Sequence, residues 1–146
     1  MSERPSIQLR SAQRKLQVEL ESLQEFAERA LARCLNLPAC VGSPGRELGE
    51  INVVLVSDRR MAALHQEFMN IPGPTDVLTF QHGEIVVSVE TAQQNAERFA
   101  TSAADEIKLY VIHGLLHLLG FDDRTREEAR VMEAVQAEVL RAVRPA

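Results

Sequence analysis

The sequence predicts an α/β (α+β) fold, one small mixed sheet of about four strands packed with about five helices. Three observations carry this prediction. Short β-branched segments alternate along the chain with stretches whose apolar residues recur at helical spacing. The segments at 77–80 and 84–89 are separated only by Gln81-His82-Gly83, a hairpin spacing. The remaining segments are connected through helices, so hairpin and helical connections occur in one sheet.

Each element has its own signal. Ser6-Ile7-Gln8-Leu9 alternates apolar and polar and reads as a first strand. Residues 12–36 place Leu16, Leu20, Leu23, Ala27, Ala30, Leu31 and Cys34 on one stripe, a long amphipathic helix that Pro38 ends. Residues 41–49, with three glycines and Pro44, read as a loop. Ile51 to Val56 is a strand, mostly buried. Ser57 caps a helix over 58–69 with Met61, Leu64, His65 and Phe68 on its stripe, and Pro72-Gly73-Pro74 follows as a break. After the hairpin, 90–100 is a short helix. Ser102 with Asp105 opens a helix over 103–119, stopped by Gly120. Thr125-Arg126-Glu127-Glu128 is a capping box that opens a last helix with Val131, Val135 and Val139 inward.

A chain of 146 residues fits one domain, 1–146, and is long enough to fold without a disulfide or a structural metal. Cys34 and Cys40 lack Cys-x-x-Cys spacing, so free thiols in a reducing, cytoplasmic compartment are expected. Met1 to Pro5 lacks the basic-then-apolar pattern of a secretory signal, and no apolar run is long enough for a membrane span. The net charge of −5 is unevenly spread: residues 61–123 carry nine acidic and two basic side chains, net −7, while the segments on either side are each net +1. A simple polyanion binder has a basic excess. Here the acid sits mid-chain, which points to a bound cation or to a partner other than a bare polyanion.

The chemistry-bearing stretch is His113-Gly114-Leu115-Leu116-His117-Leu118-Leu119-Gly120-Phe121-Asp122-Asp123. Residues four apart share a helix face, so His113 and His117 can aim at one ion. Gly120 permits a chain reversal that brings a carboxylate of Asp122 or Asp123 back to the imidazoles. Two His and one Asp leave a fourth position for water, as in catalytic zinc sites. A bound Zn²⁺ drops its water's pKa to about 7, so the metal-bound water is the expected nucleophile and no side chain is assigned that role. In His-Glu-x-x-His proteases the residue after the first His is the general base. Gly114 stands there, which favours metal-assisted hydrolysis other than that of peptides.

This segment resembles the His-Gly-x-Leu-His-Leu-x-Gly-Tyr-Asp-His signature of the YbeY-type rRNA maturation factors, a family of metal-dependent endoribonucleases specific for single strands. Pro74-Thr75-Asp76-Val77-Leu78-Thr79-Phe80 is similar to that family's Pro-Thr-Asp-Val-Leu-Ser-Phe, and Gly83-Glu84-Ile85-Val86-Val87-Ser88 to its Gly-Asp-Ile-Val-Ile-Ser. The match runs from about residue 48 to the end. The resemblance implies an endoribonuclease acting in rRNA maturation and ribosome quality control. It implies one zinc per chain, with Mn²⁺ an alternative for an oxygen-containing site. Its partners would be single-stranded rRNA and a ribosomal subunit or ribosomal protein, with no membrane and no nucleotide cofactor. His113 and His117 match the first two zinc ligands, and the family's third His falls on Asp123. Asp122 matches the family's Asp and is assigned to orienting a ligand or the bound water. An Arg of the family falls on Met69, which removes one phosphate clamp, and Arg59, Arg60, Arg98 or Lys108 are the candidates to replace it. Two other functions fit the same residues: a metal-binding ribosome assembly factor that does not cleave, and a metallo-amidohydrolase or peptidase.

Among the other polar residues, His82 is expected in solvent, His65 half-buried and hydrogen-bonded, and Asp76 bonded to neighbouring backbone N–H groups. Arg124, Arg126 and Arg130 are expected to be solvated.

Overall fold

The computed structural model describes residues 4–143. Its strands are β1 (Ser6–Ser11), β2 (Glu50–Val56), β3 (Val77–Phe80) and β4 (Glu84–Ser88). Its helices are α1 (Leu20–Leu35), α2 (Asp58–Met69), α3 (Val89–Phe99), α4 (Ala103–Leu118) and α5 (Arg126–Val143). The sheet order is β1-β2-β4-β3. β1 and β4 run parallel to β2, and β3 pairs antiparallel with β4 through the expected hairpin. This is the mixed α/β sheet that the sequence predicts.

Strand side chains alternate between faces, and here each face has its own core. Ile51, Val53, Leu55, Ile85 and Val87 point into the main core with α1, α4 and α5. Val54, Val56, Leu78 and Val86 point the other way, against Met61 of α2. The register aligns Arg10, Val54, Val86 and Leu78 across that second face, and beside them Gln8, Asn52, Glu84 and Phe80.

Helix starts follow their caps. Ser57 Oγ accepts from Arg60 N–H and Ser102 Oγ from Asp105 N–H. Thr125 and Glu128 exchange both bonds of a capping box, at 3.0 and 3.1 Å.

Three expectations are corrected. The first helix begins at Leu20 rather than residue 12. β1 extends to Ser11, and the Gln13 side chain then ties a turn, accepting from the N–H groups of Lys15 and Leu16 and donating to Leu16 O. A side chain that satisfies local backbone groups competes with the helix ladder. On α5, Val131 is 51% exposed and Met132 takes the inward position with Val139. The capping box sets the rotation of the helix, and the apolar stripe starts one residue later than valine spacing suggests. On α2, only Met61 is buried and Phe68 is 56% exposed, because the helix covers one end of the sheet and overhangs it.

The 3-10 turn Pro44–Glu47 locks the end of α4. A Cβ on Gly45 would lie 1.9 Å from Leu118 O, so only glycine allows the loop to touch the helix carbonyl. Cys34 and Cys40 are both free and buried.

Candidate metal centre

α4 is apolar on nearly every side, with Ile107, Val111, Ile112, Leu115 and Leu116 buried. His113 and His117 occupy its one partly open face, one turn apart. After Leu118 the chain reverses at Gly120, φ 104°, where an L residue would be strained. Gly120 N–H bonds His117 O, and Phe121 N–H reaches back to Leu116 O at 2.9 Å. The partly buried Phe121 packs on the main core and fixes the direction of return.

The reversal delivers Asp123 to the imidazoles. Its carboxylate oxygens lie 3.5 Å from His113 Nε2 and 3.5 Å from His117 Nε2, and the two Nε2 atoms are 3.1 Å apart. Tetrahedral zinc with bonds of about 2.0–2.1 Å separates its ligand atoms by roughly 3.3–3.4 Å. The two Nε2 atoms and the two carboxylate oxygens stand near that separation, one oxygen and both Nε2 atoms lie within 4.8 Å of one another, and two imidazoles with a carboxylate are fitting donors for such an ion. Asp122 turns aside. One of its oxygens accepts Asp123 N–H at 2.8 Å and the other pairs with Arg124 Nε at 3.2 Å. It orients the backbone of Asp123 and stays outside the cluster, and Arg124 is engaged through it.

Sequence reasoning missed Gln136. Its Oε1 lies 2.6 Å from His113 Nδ1. An amide carbonyl there accepts Nδ1–H, which leaves the Nε2 lone pair facing the cluster. The available signal was a polar residue on the inner stripe of the last helix, between Met132 and Val139.

A cavity of about 260 Å³ opens beside His113 and Asp123, with Asp76, Val77, Tyr110 and Gln136 in its wall. Tyr110 OH donates to the buried Glu106 at 3.3 Å and accepts from Asn95 at 2.7 Å. Thr101 holds the other Glu106 oxygen at 3.1 Å. Burial is the main cause that pushes the Tyr110 hydroxyl up to about 12; the Asn95 bond opposes it, and the carboxylates of Glu106 and Asp76 add to it. The phenol is thus a neutral donor in the cavity wall at neutral pH. Asp76 accepts Val77 N–H at 2.8 Å, the backbone role expected of it, and also faces the cavity. The residues expected elsewhere lie as expected: His82 is exposed, and half-buried His65 bonds Gly73 O at 2.9 Å.

Gly114 faces the sheet, where a Cβ would lie 2.7 Å from Ile85. Packing demands glycine and leaves no room for a glutamate base. Met69 is exposed at the end of α2. Of the cations named as substitutes, Lys108 is 3.9 Å from Asp105 and Arg98 lies over the Phe99 ring, while Arg59 and Arg60 project into solvent.

Sheet order and apolar site helix define an α/β protein that carries on that helix and the following turn a donor set able to hold a metal ion. The family model described as Endoribonuclease YbeY matches residues 8–144, and the chain belongs to that family. It is 40% identical over 110 residues to the Endoribonuclease YbeY of Thermobifida fusca, covering 64% of this chain and 71% of that one. It is 33% identical over 142 residues to that of Heliobacterium modesticaldum, covering 83% of each. The solution structure of TM1509 from Thermotoga maritima superimposes with a TM-score of 0.62 at 28% identity, covering 93% of this chain and 89% of that one.

Proposed function

We propose that this chain is a metal-dependent endoribonuclease that cuts single-stranded RNA in rRNA maturation and ribosome quality control, as one cytoplasmic domain over 1–146. Family membership supports the reaction class. The observation that carries the site is the convergence of His113, His117 and Asp123 within 4.8 Å. These three would hold one divalent ion, zinc first and Mn²⁺ second. Such an ion supplies Lewis acidity and an activated water at neutral pH.

The chain's own residues do the rest. Gln136 fixes the ring of His113, and Asp122 fixes the turn that carries Asp123. Tyr110, its single proton committed to Glu106, adds a neutral wall to the cavity, and Asp76 limits how much negative charge the cavity accepts without a cation. The substrate is rRNA on or near a ribosomal subunit, whose proteins supply basic surface that the acidic middle of this chain lacks. Among the described residues no helix is long and apolar enough to cross a membrane.

Metal analysis joined to a cleavage assay on labelled single-stranded RNA tests the reading. Cleavage should be slow, should stop with chelator, and should vanish in His113→Ala and His117→Ala. Met69→Arg should raise it, because a charge-assisted bond to phosphate is about twice as strong as a neutral one. Cleavage that survives loss of both histidines would overturn the site. Metal bound and ribosomal subunits captured, with no cleavage by wild type or Met69→Arg, would turn the reading to a non-cleaving assembly factor. Peptide hydrolysis would revive the amidohydrolase alternative, against the packing of Gly114 on Ile85.

A further inference from the structure

The second face of the sheet is only half covered. Between α2 and the β1–β2 end lies a groove of about 390 Å³ with Val54, Val56 and Val86 on its floor. Arg10 and Arg60 stand at its sides, both exposed, and neither guanidinium has an ion-pair partner among the described residues. Glu84 is the one acidic side chain in its wall. Arg60, Leu64 and Phe68 are four residues apart on α2 and form one helical stripe. Leu64 lines the groove and packs with Phe80 in the small core of this face. Phe80 meets Phe68 edge to face at 5.2 Å, and His82 lies 5.9 Å beyond at a 30° tilt. From the two arginines of the groove the α2 stripe leads through Leu64 to an aromatic cluster beyond the groove's end, whose ring Phe68 is 56% exposed.

Single-stranded nucleic acid asks for that combination, cations along the backbone and ring faces on which bases stack. An acidic protein segment would use the arginines and leave the rings idle. The position suits a substrate strand too. β3 is the sheet edge, with Val77 in the wall of the metal cavity and Phe80 three residues further, roughly 10 Å along the strand.

We infer that the groove between α2 and the open sheet face is a second binding site for single-stranded RNA, which holds nucleotides beyond the cut point and feeds the strand round the β3 edge to the metal cavity. Arg10 and Arg60 contact phosphates, and Phe68 stacks a base. The inference rests on the endoribonuclease reading for its link to cleavage, but binding tests it separately.

The experiment measures binding of a labelled single-stranded RNA of about a dozen nucleotides to the full chain in chelator, across salt concentrations, then cleavage of the same RNA with zinc. The variants are Arg10→Glu with Arg60→Glu, and Phe68→Ala. All three positions are exposed, and thermal melting confirms that each variant is folded. The charge-reversed pair should weaken binding at least tenfold and flatten the log–log salt slope by about 1.4, the loss of two phosphate contacts on a single strand. Phe68→Ala should weaken binding about tenfold with the salt slope unchanged. In the cleavage arm KM should rise and kcat hold. Wild-type affinity in both variants overturns the groove even where cleavage is normal. Variant-sensitive binding with no zinc-dependent cleavage supports the groove and overturns the nuclease reading. No RNA binding by the wild type overturns both. A poly-glutamate peptide that competes fully with the RNA, with affinity indifferent to Phe68→Ala, assigns the groove to an acidic protein segment and overturns the RNA assignment.

Discussion

On one face of the sheet, Ile51, Val53, Leu55, Ile85 and Val87 are sealed beneath α1, α4 and α5, and the histidine helix lies in the middle of that packing. On the other face, Val54, Val56, Leu78 and Val86 have chiefly α2 for cover, and Arg10, Asn52 and Phe68 remain exposed. The two faces come from the same strands, one residue out of phase. The difference shows how packing depth sorts chemistry. Three donor atoms can be held within tenths of an ångström only where the helix beneath them cannot shift, because close-packed interiors transmit displacement rather than absorb it. A surface that grips a flexible strand needs no such rigidity, and long side chains on a thinly covered face serve it.

If the buried face sets the site, the largest effect should come from disturbing its packing. Gly45→Val places a side chain where a Cβ already meets Leu118 O at 1.9 Å. The backbone must move, so urea unfolding should show a loss of about 3 kcal/mol or more, the upper end of overpacking costs. Phe68→Ala on the open face should cost only about 0.5–1.5 kcal/mol, the loss of its edge-to-face pair with Phe80. Equal losses from the two would break the comparison.

Ligand substitutions come next. Asp123→Ala removes one of three donors and should lower zinc affinity well over 100-fold by competition with a chelating dye. Gln136→Leu keeps the donors and frees the His113 ring, with an expected loss of about 10–100-fold. Asp122→Ala should fall at or below the lower end of that range, since Asp122 acts only through the backbone of Asp123. If Asp122→Ala proved the worse of the two aspartate variants, the two carboxylates would have to exchange roles.

A last effect is alkaline, and it too belongs to the buried face. Burial is the main cause that pushes the Cys34 thiol up from 9.0 to about 12; Cys40 adds to it and Arg33 opposes it. Between those values the unfolded chain releases the proton and the native chain keeps it. The unfolded state then binds fewer protons, so stability falls as pH rises from about 9 towards about 12. Cys34→Ala should flatten that decline in urea midpoints measured from pH 8 to 10.5. A decline of the same slope in the variant would place its origin elsewhere, with Tyr110 the next group on this face to titrate, pushed from 10.0 to about 12.

What the sequence determined by itself is what depends on near neighbours along the chain. The four-residue interval put His113 and His117 on one side of a helix, since 3.6 residues make a turn. Ser57, Ser102 and the Thr125–Glu128 pair marked three helix starts, because a cap satisfies donors within three residues of itself. The apolar run Ile51–Val56 marked a mostly buried strand. Tertiary structure decided the rest. Leu16 looked like the first turn of a helix until the Gln13 side chain took up the backbone there, and Val131 looked inward until the rotation of α5 gave Met132 that place. Residue spacing left Asp122 and Asp123 equal, and the separation came from Gly120 and from Phe121 seated on the core. Gln136 is 23 residues from the histidine it holds, and Arg10 is 50 residues from Arg60. No local period encodes such pairs; they meet because burying two incompatible apolar faces leaves the chain few other ways to close.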